Sequence, residues 1–235
     1  MGYFNYLIGY NWSYFLFMLP CIILTIAVQI SMRSTFSRYS SIQNSRRMTG
    51  AQAAEYVLRQ NGVTGVKIER VGGNLTDHFD PRTNVIRLSD TVYNQSSIAA
   101  VGVACHEAGH AVQHAQGYVP NKIRAVILPV ANIGSKLSWL FIIAGFAASF
   151  LQPLLYVGIA LFSASVLFTL ATLPVEFNAS ARALACIKET GMLSDSEYTG
   201  AKKCLRAAAM TYVASAATAV LQLIRLILIA NSRRD

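Results

Sequence analysis

The sequence predicts a mainly α membrane protein in which transmembrane helices carry a small α+β cytoplasmic domain, with a short β-meander ahead of a histidine-bearing helix. Three observations lead there. Hydrophobic residues make up 54% of the 235-residue chain and charged residues 13%, with a mean hydropathy of +0.41, a balance unlike that of soluble domains. Uncharged apolar runs long enough to cross a bilayer recur along it. Residues 33–125 form the one long polar stretch. The formal charge of +9 would suit a nucleic acid, but the basic residues stand beside apolar runs rather than in a stripe with interleaved aromatics. No nucleic-acid partner is therefore expected, and the charges read as topology signals. Cys21, Cys105, Cys186 and Cys204 form no CxxC pair, which argues against both a disulfide framework and a cysteine-built zinc knuckle.

Residues 1–32 are expected to be an N-terminal tail and a first transmembrane helix. Met1 to Asn11 is uncharged and aromatic-rich, and Trp12 to Met32 carries no charge; at ~1.5 Å per residue it spans a hydrocarbon core of ~30 Å. The basic residues Arg33, Arg38, Arg46 and Arg47 follow this run, which is the wrong order for a cleavable signal peptide. By the positive-inside rule they put residue 33 onward in the cytoplasm.

Residues 33–125 are expected to form the cytoplasmic domain. Ser34 to Arg47 suits either a solvated linker or a segment lying on an anionic membrane surface. Thr49 caps a short helix, Gly50 to Gln60, which Asn61-Gly62 stops. Val66 to Val71 alternates apolar and polar, Gly72-Gly73 turns, and Asn74 to Phe79 returns as a second strand. After a turn at Asp80 to Asn84, Val85 to Leu88 is a third. Such a meander leaves an edge to which an extended peptide can add.

Ser96 and Ser97 are N-cap candidates for the next helix, which runs through the apolar segment Ile98 to Cys105 into His106-Glu107-Ala108-Gly109-His110 and ends near Gly117. Side chains four apart on a helix share a face, so His106 and His110 can aim imidazole nitrogens at one metal ion. Glu107 then lies beside the ion, where a general base must stand to take a proton from water.

Two apolar stretches follow, Val126 to Leu151 and Leu154 to Leu173, separated by Gln152-Pro153. They are expected to form a transmembrane hairpin over 126–173 with both ends in the cytoplasm. Lys136, inside the first stretch, is expected to snorkel to the interface. Residues 174–205 are expected to be cytoplasmic again, a helix from Val175 to Ile187 and a polar loop from Lys188 to Gly200. Residues 206–235 form an apolar C-terminal helix, Arg206 to Ala230, expected to be membrane-embedded. Arg225 lies within it and Arg233-Arg234 follow it, against the positive-inside rule if it spans.

Catalytic zinc takes three protein ligands and leaves one position for water. His114 would lie about 12 Å from His106 along a straight helix, too far to share the ion. Of the acids after His110, Glu189, Asp195 and Glu197 fall in the polar loop and Asp235 is the last residue. Glu176 stands where an apolar helix leaves the bilayer, and an uncompensated carboxylate there is costly. Its competing reading is an acid in the first turn of a helix after Pro174, favoured by the helix dipole. Glu176 is the expected third ligand, with one zinc ion per chain.

Three separated segments, His106 to His114, Asp77-His78-Phe79-Asp80-Pro81-Arg82-Thr83 and Leu173-Pro174-Val175-Glu176-Phe177-Asn178-Ala179-Ser180, resemble the YugP-type neutral zinc metallopeptidases, bacterial membrane proteins. The resemblance implies a multi-pass cell-membrane zinc peptidase with its site toward the cytoplasm. More distantly the layout is similar to the HtpX and CAAX prenyl protease group of gluzincins, in which a glutamate on a later helix completes the ligand set; here that residue is Glu176. This distant group has an aspartate four residues later, where this chain has Ser180, so Asn178, His114 or Arg182 is expected to support the ligands as well. The chemistry expected is hydrolysis of peptide bonds with Glu107 as general base and His78, Arg182, Tyr198 or Tyr212 as oxyanion donor. A polypeptide substrate and the lipid bilayer are the expected partners. The competing class is a non-catalytic scaffold or transporter subunit with a structural zinc site, for which Lys136 and Arg225 would serve. A structural site should be closed by four ligands, and no internal repeat supports a transporter.

Overall fold

The computed structural model describes residues 2–147 and 149–232, with side chains from Phe15 onward except at position 149. The expectations for Arg233, Arg234 and Asp235, and for the side chains of the aromatic-rich leader, fall outside the described residues. In order, the elements are α1 (Gly2–Ser40), α2 (Gly50–Gln60), β1 (Lys67–Val71), β2 (His78–Asp80), β3 (Val85–Ser89), α3 (Ile98–Ala115), α4 (Val119–Ala147), a 3₁₀ turn (Ser149–Leu151), α5 (Gln152–Thr190) and α6 (Asp195–Ser232).

Four helices among the described residues are long and apolar enough to cross a membrane: Phe15–Ser40 within α1, and α4, α5 and α6. They present large apolar side chains to their surroundings, among them Leu16, 73% exposed, and Val126, 76% exposed. Exposed apolar surface on this scale is stable against lipid and not against water. The chain is a mainly α membrane protein with a small α+β part.

It divides into two compact units. One comprises the chain up to Val28, Lys122–Leu173 and the chain from Thr211; the other comprises Gln29–Asn121 and Pro174–Met210. In the first, Ile142, Leu155, Leu226 and Ala230 form a small core. Arg124 lies 5.7 Å over the Phe168 ring, and Lys136 is exposed.

The second unit is built on α2 and α3. Thr49 accepts a hydrogen bond from the Gln52 N–H while the Gln52 side chain accepts one from the Thr49 N–H, a complete capping box. Ala53, Ala54, Val57 and Leu58 of α2 are buried in one core with Ile86 and Leu88 of β3, Val101, Ala104 and Val112 of α3, and Ala183 and Ile187 of α5. The segment after α1 is more than a solvated linker. Asn44 is 1% exposed and clamps the Met48 and Ser96 backbone, and the first half of the Ser34 to Arg47 stretch continues α1 as far as Ser40.

The three strands are not a meander. Their order is β1-β3-β2, with β1 parallel to β3, Lys67 opposite Val85, and β2 antiparallel to β3, Phe79 opposite Ile86. The reason lies in polarity. β3 buries Val85, Ile86, Leu88 and Ser89, whereas β1 has no buried residue and β2 is three residues long. The strand with buried residues on both faces takes the centre and the more exposed ones take the edges.

Three helix boundaries also differ from expectation. Gln152-Pro153 is not a turn: it opens α5, where a proline costs no hydrogen bond, and the break between α4 and α5 comes earlier. Pro174 does not end a helix, because α5 runs through it. An internal proline costs about 3 kcal/mol, and the residues after it offset this: Val175, Ala179, Ala183 and Ile187, on one face of the continuing helix, are all buried. Lys188 to Gly200 is not a loop, since only residues 191–194 connect α5 to α6. Ser194 starts α6, its N–H donating to Glu197 Oε2 at 2.8 Å and its carbonyl accepting from the Tyr198 N–H, half of a capping box.

Candidate metal centre

Helix α3 begins where Ser97 Oγ accepts from the Ala100 N–H at 3.1 Å. It ends with Tyr118 N–H bonded to Gln113 O and Gly117 N–H to His114 O, Gly117 taking a φ of 63°, the left-handed closure that glycine permits. His106 and His110 therefore sit mid-helix on one face. Gly109, between them, has no room for a side chain: a Cβ there would lie 2.8 Å from the Ala179 carbonyl oxygen of α5. This close approach of two backbones brings Glu176 opposite the histidines.

The His106 and His110 Nε2 atoms are 3.1 Å apart, and Glu176 Oε2 lies 3.3 Å from the first and 3.5 Å from the second. The three groups offer ligand atoms within 4.8 Å of one another and are able to hold a metal ion. Tetrahedral zinc with bonds of ~2.0–2.1 Å has ligand-to-ligand edges of about 3.3–3.4 Å, so the observed triangle matches one face of such a tetrahedron. Glu176 Oε2 is a buried acceptor with no hydrogen-bond donor, a group that a bound cation satisfies. The Glu176 side chain is 5% exposed, whereas His106 and His110 keep 15% and 14%. The triangle is thus sealed on the carboxylate side and accessible on the imidazole side.

The electrostatics favour positive charge. Burial would lower the His110 pKa, but the Glu176 carboxylate, the charge of Glu107 and the contact with Gln113 outweigh it and hold the imidazole above its ordinary value. Glu107 is 8% exposed. Cys105 is not a competing ligand, because complete burial pushes its thiol far above the ordinary range.

Each histidine has a partner at its other nitrogen. His106 Nδ1 lies 3.1 Å from Ser180 Oγ, and His110 Nδ1 lies 3.0 Å from Gln113 Oε1. Gln113 is fully buried and donates through Nε2 to Val175 O at 2.8 Å and Asn178 Oδ1 at 3.0 Å. Arg182 Nε donates to Asn178 Oδ1 at 2.7 Å, its Nη1 donates to Gln116 Oε1 at 2.7 Å, and its guanidinium lies 5.9 Å over the Tyr118 ring. Gln113 was absent from the sequence-level candidates, although its position three residues after His110 on the same helix is the spacing that pairs side chains.

The structure brings together His106, His110, Glu176 and Ser180, and connects Asn178 and Arg182 to them through Gln113. It does not bring in His114, which is exposed and tilts against Phe79 with ring centroids 5.7 Å apart. His78 is exposed, its Nδ1 2.8 Å from the Thr76 carbonyl. Tyr198 packs against the core, and Tyr212 belongs to the other unit. Glu176 is well inside α5 rather than in a first turn, so the helix-dipole reading of this residue does not hold.

No solved structure matches the chain. Its sequence is 44% identical over 207 residues, 88% of this chain and 92% of the relative, to the protein of Bacillus subtilis (strain 168) named "Putative membrane protease YugP". The family model described as "Putative neutral zinc metallopeptidase" matches residues 14–231. With three metal-capable side chains converging in a helical membrane protein, and a family match over nearly its whole length, this chain belongs to that zinc metallopeptidase family.

Proposed function

We propose that the protein is a multi-pass membrane zinc endopeptidase in which His106, His110 and Glu176 hold one zinc ion and Glu107 is the general base. The observation that carries this reading is the triangle of 3.1, 3.3 and 3.5 Å edges, which suits tetrahedral zinc and, among the described residues, leaves the fourth position open, as catalytic sites do and closed structural sites do not. Zinc bound there would supply Lewis acidity toward a peptide carbonyl and a water. Glu107, following His106 on α3 and near enough to act on the charge of His110, takes the proton from the attacking water and returns it to the leaving amine. Ser180 and Gln113 hold the imidazole rings, and Gly109 keeps α3 against α5.

The peptidase part combines residues 33–125 with 174–205 and faces the cytoplasm, a reading supported by Arg33, Arg38, Arg46 and Arg47 directly after the first span. The test is purification in detergent, determination of zinc per chain, and incubation of wild type and Glu107→Gln with an unfolded polypeptide. Both should carry one zinc, and the variant should cleave about 10²–10⁴-fold more slowly. Equal cleavage by the two, or zinc binding with no cleavage by either, would overturn the reading.

A further inference from the structure

We propose that Gln113 is a positioning residue that fixes the tautomer of His110, so that Nε2 presents a lone pair to the metal. This rests on the reading of His110 as a zinc ligand, but the inference follows from hydrogen-bond polarity around Gln113. The amide ends of Asn and Gln are distinguished by their partners, and here one partner is unambiguous. An arginine guanidinium only donates. Arg182 Nε therefore requires the Asn178 atom 2.7 Å away to be the amide oxygen. That oxygen and the Val175 carbonyl, at 3.0 and 2.8 Å, both accept, so the Gln113 atom facing them is its NH₂. The Gln113 atom left for His110 is the oxygen, which only accepts. His110 Nδ1, 3.0 Å from it, must carry the proton.

One direction of donation thus runs from Arg182 to Asn178, from Gln113 to Asn178 and Val175, and from His110 to Gln113. The neutral imidazole that results has its lone pair on Nε2, the nitrogen facing Glu176 Oε2 and His106 Nε2. Gln113 cannot easily turn to offer its other end, because it is fully buried and its NH₂ already has two acceptors. His106 is held differently. Its Nδ1 meets the Ser180 hydroxyl, which is able to donate or accept, so nothing there dictates the tautomer. The two histidines are chemically unequal before any metal arrives, and only His110 is preset for Nε2 ligation.

The test uses the full chain, metal-free, in detergent micelles, with ¹⁵N-labelled histidine and a pH alkaline enough to keep the imidazoles neutral. The His110 signals, assigned by their loss in His110→Ala, should show Nδ1 protonated and Nε2 bare. A wild-type spectrum dominated by Nε2–H overturns the proposal without any need for a Gln113 variant. In Gln113→Met, which keeps length and removes the acceptor, the His110 tautomers should mix. Zinc affinity, read by competition with a chelator, should fall about 10–100-fold. A folded Gln113→Met protein with the wild-type His110 spectrum and affinity also overturns it. Neither readout involves cleavage: if the wild type binds zinc but hydrolyses nothing, the peptidase reading fails while the role of Gln113 is still decided by these measurements.

Discussion

Helices α3 and α5 deliver metal-capable side chains to the same cluster by different routes. α3 has 18 residues, a serine cap at its start, a glycine closure at its end and 13 buried residues between. Its histidines are neighbours because of helical spacing alone. α5 has 39 residues, carries Pro174 inside it, and brings Glu176 into place only where its backbone touches Gly109. One helix is specified by short-range signals and the other by what surrounds it. Two of the three metal-capable side chains are therefore robust to changes elsewhere, while the third depends on a single interhelical approach.

That asymmetry can be broken in graded ways. The largest effect is expected for Glu176→Gln, which removes the carboxylate and leaves the two histidines with a neutral amide; zinc per chain, measured after gel filtration in detergent, should fall to near zero. Retention of one zinc per chain would exclude Glu176 as a ligand. Next comes Gly109→Ala. Its methyl group would sit 2.8 Å from the Ala179 carbonyl, and overpacking of this kind costs about 1–3 kcal/mol. Both the melting temperature and zinc affinity should drop, because the separation displaces Glu176 of α5 while leaving the α3 pair intact.

Ser180→Ala takes away the neighbour of His106 Nδ1. Zinc affinity should weaken about tenfold with little change in stability. Ser97→Ala removes the α3 cap and should cost about 1 kcal/mol, a fall of about 2–4 °C in melting temperature for a chain of this size, with zinc content unchanged; a loss of zinc here would mean that α3 is less self-sufficient than its caps suggest. The smallest effect lies at the turn before β3. The hydroxyl of Thr83, the N–H of Arg82 and the Arg87 guanidinium hold the Asp80 carboxyl down at about 2. A lowered carboxylate pKa stabilises the fold above the ordinary carboxylate range, and the contribution is lost as pH falls through about 2. Acid titrations of wild type and Asp80→Asn should therefore differ near neutrality and converge only toward pH 2.

Much of this was readable along the chain. The apolar runs forecast the spans, Thr49 and Ser97 forecast their caps, and His106 with His110 forecast a shared face, because each depends on residues no more than a few turns apart. Where the sequence misled, a local signal competed with a nonlocal cost. Pro174 looks like a helix stop until the burial of Val175, Ala179, Ala183 and Ile187 on the continuing helix is counted. Gly72-Gly73 looks like a hairpin turn until β3, buried on both faces, claims the centre of the sheet. Ser194 to Glu197 did carry a capping signal, Ser-x-x-Glu, and it marks the start of α6 within what had looked like a loop.

That His106 and His110 share one face of a helix, with Glu107 next to the first, was determined by sequence alone: a capped helix with a period of 3.6 residues puts residues four apart on the same side. The tertiary structure decided which acid faces them, which strand is central, and that a buried glutamine stands behind His110. Those outcomes rest on contacts such as His106 with Ser180, 74 residues apart, and on the space a missing Cβ leaves at Gly109. No local propensity encodes a distance between two backbones; it is set by what fits between them once both helices have formed.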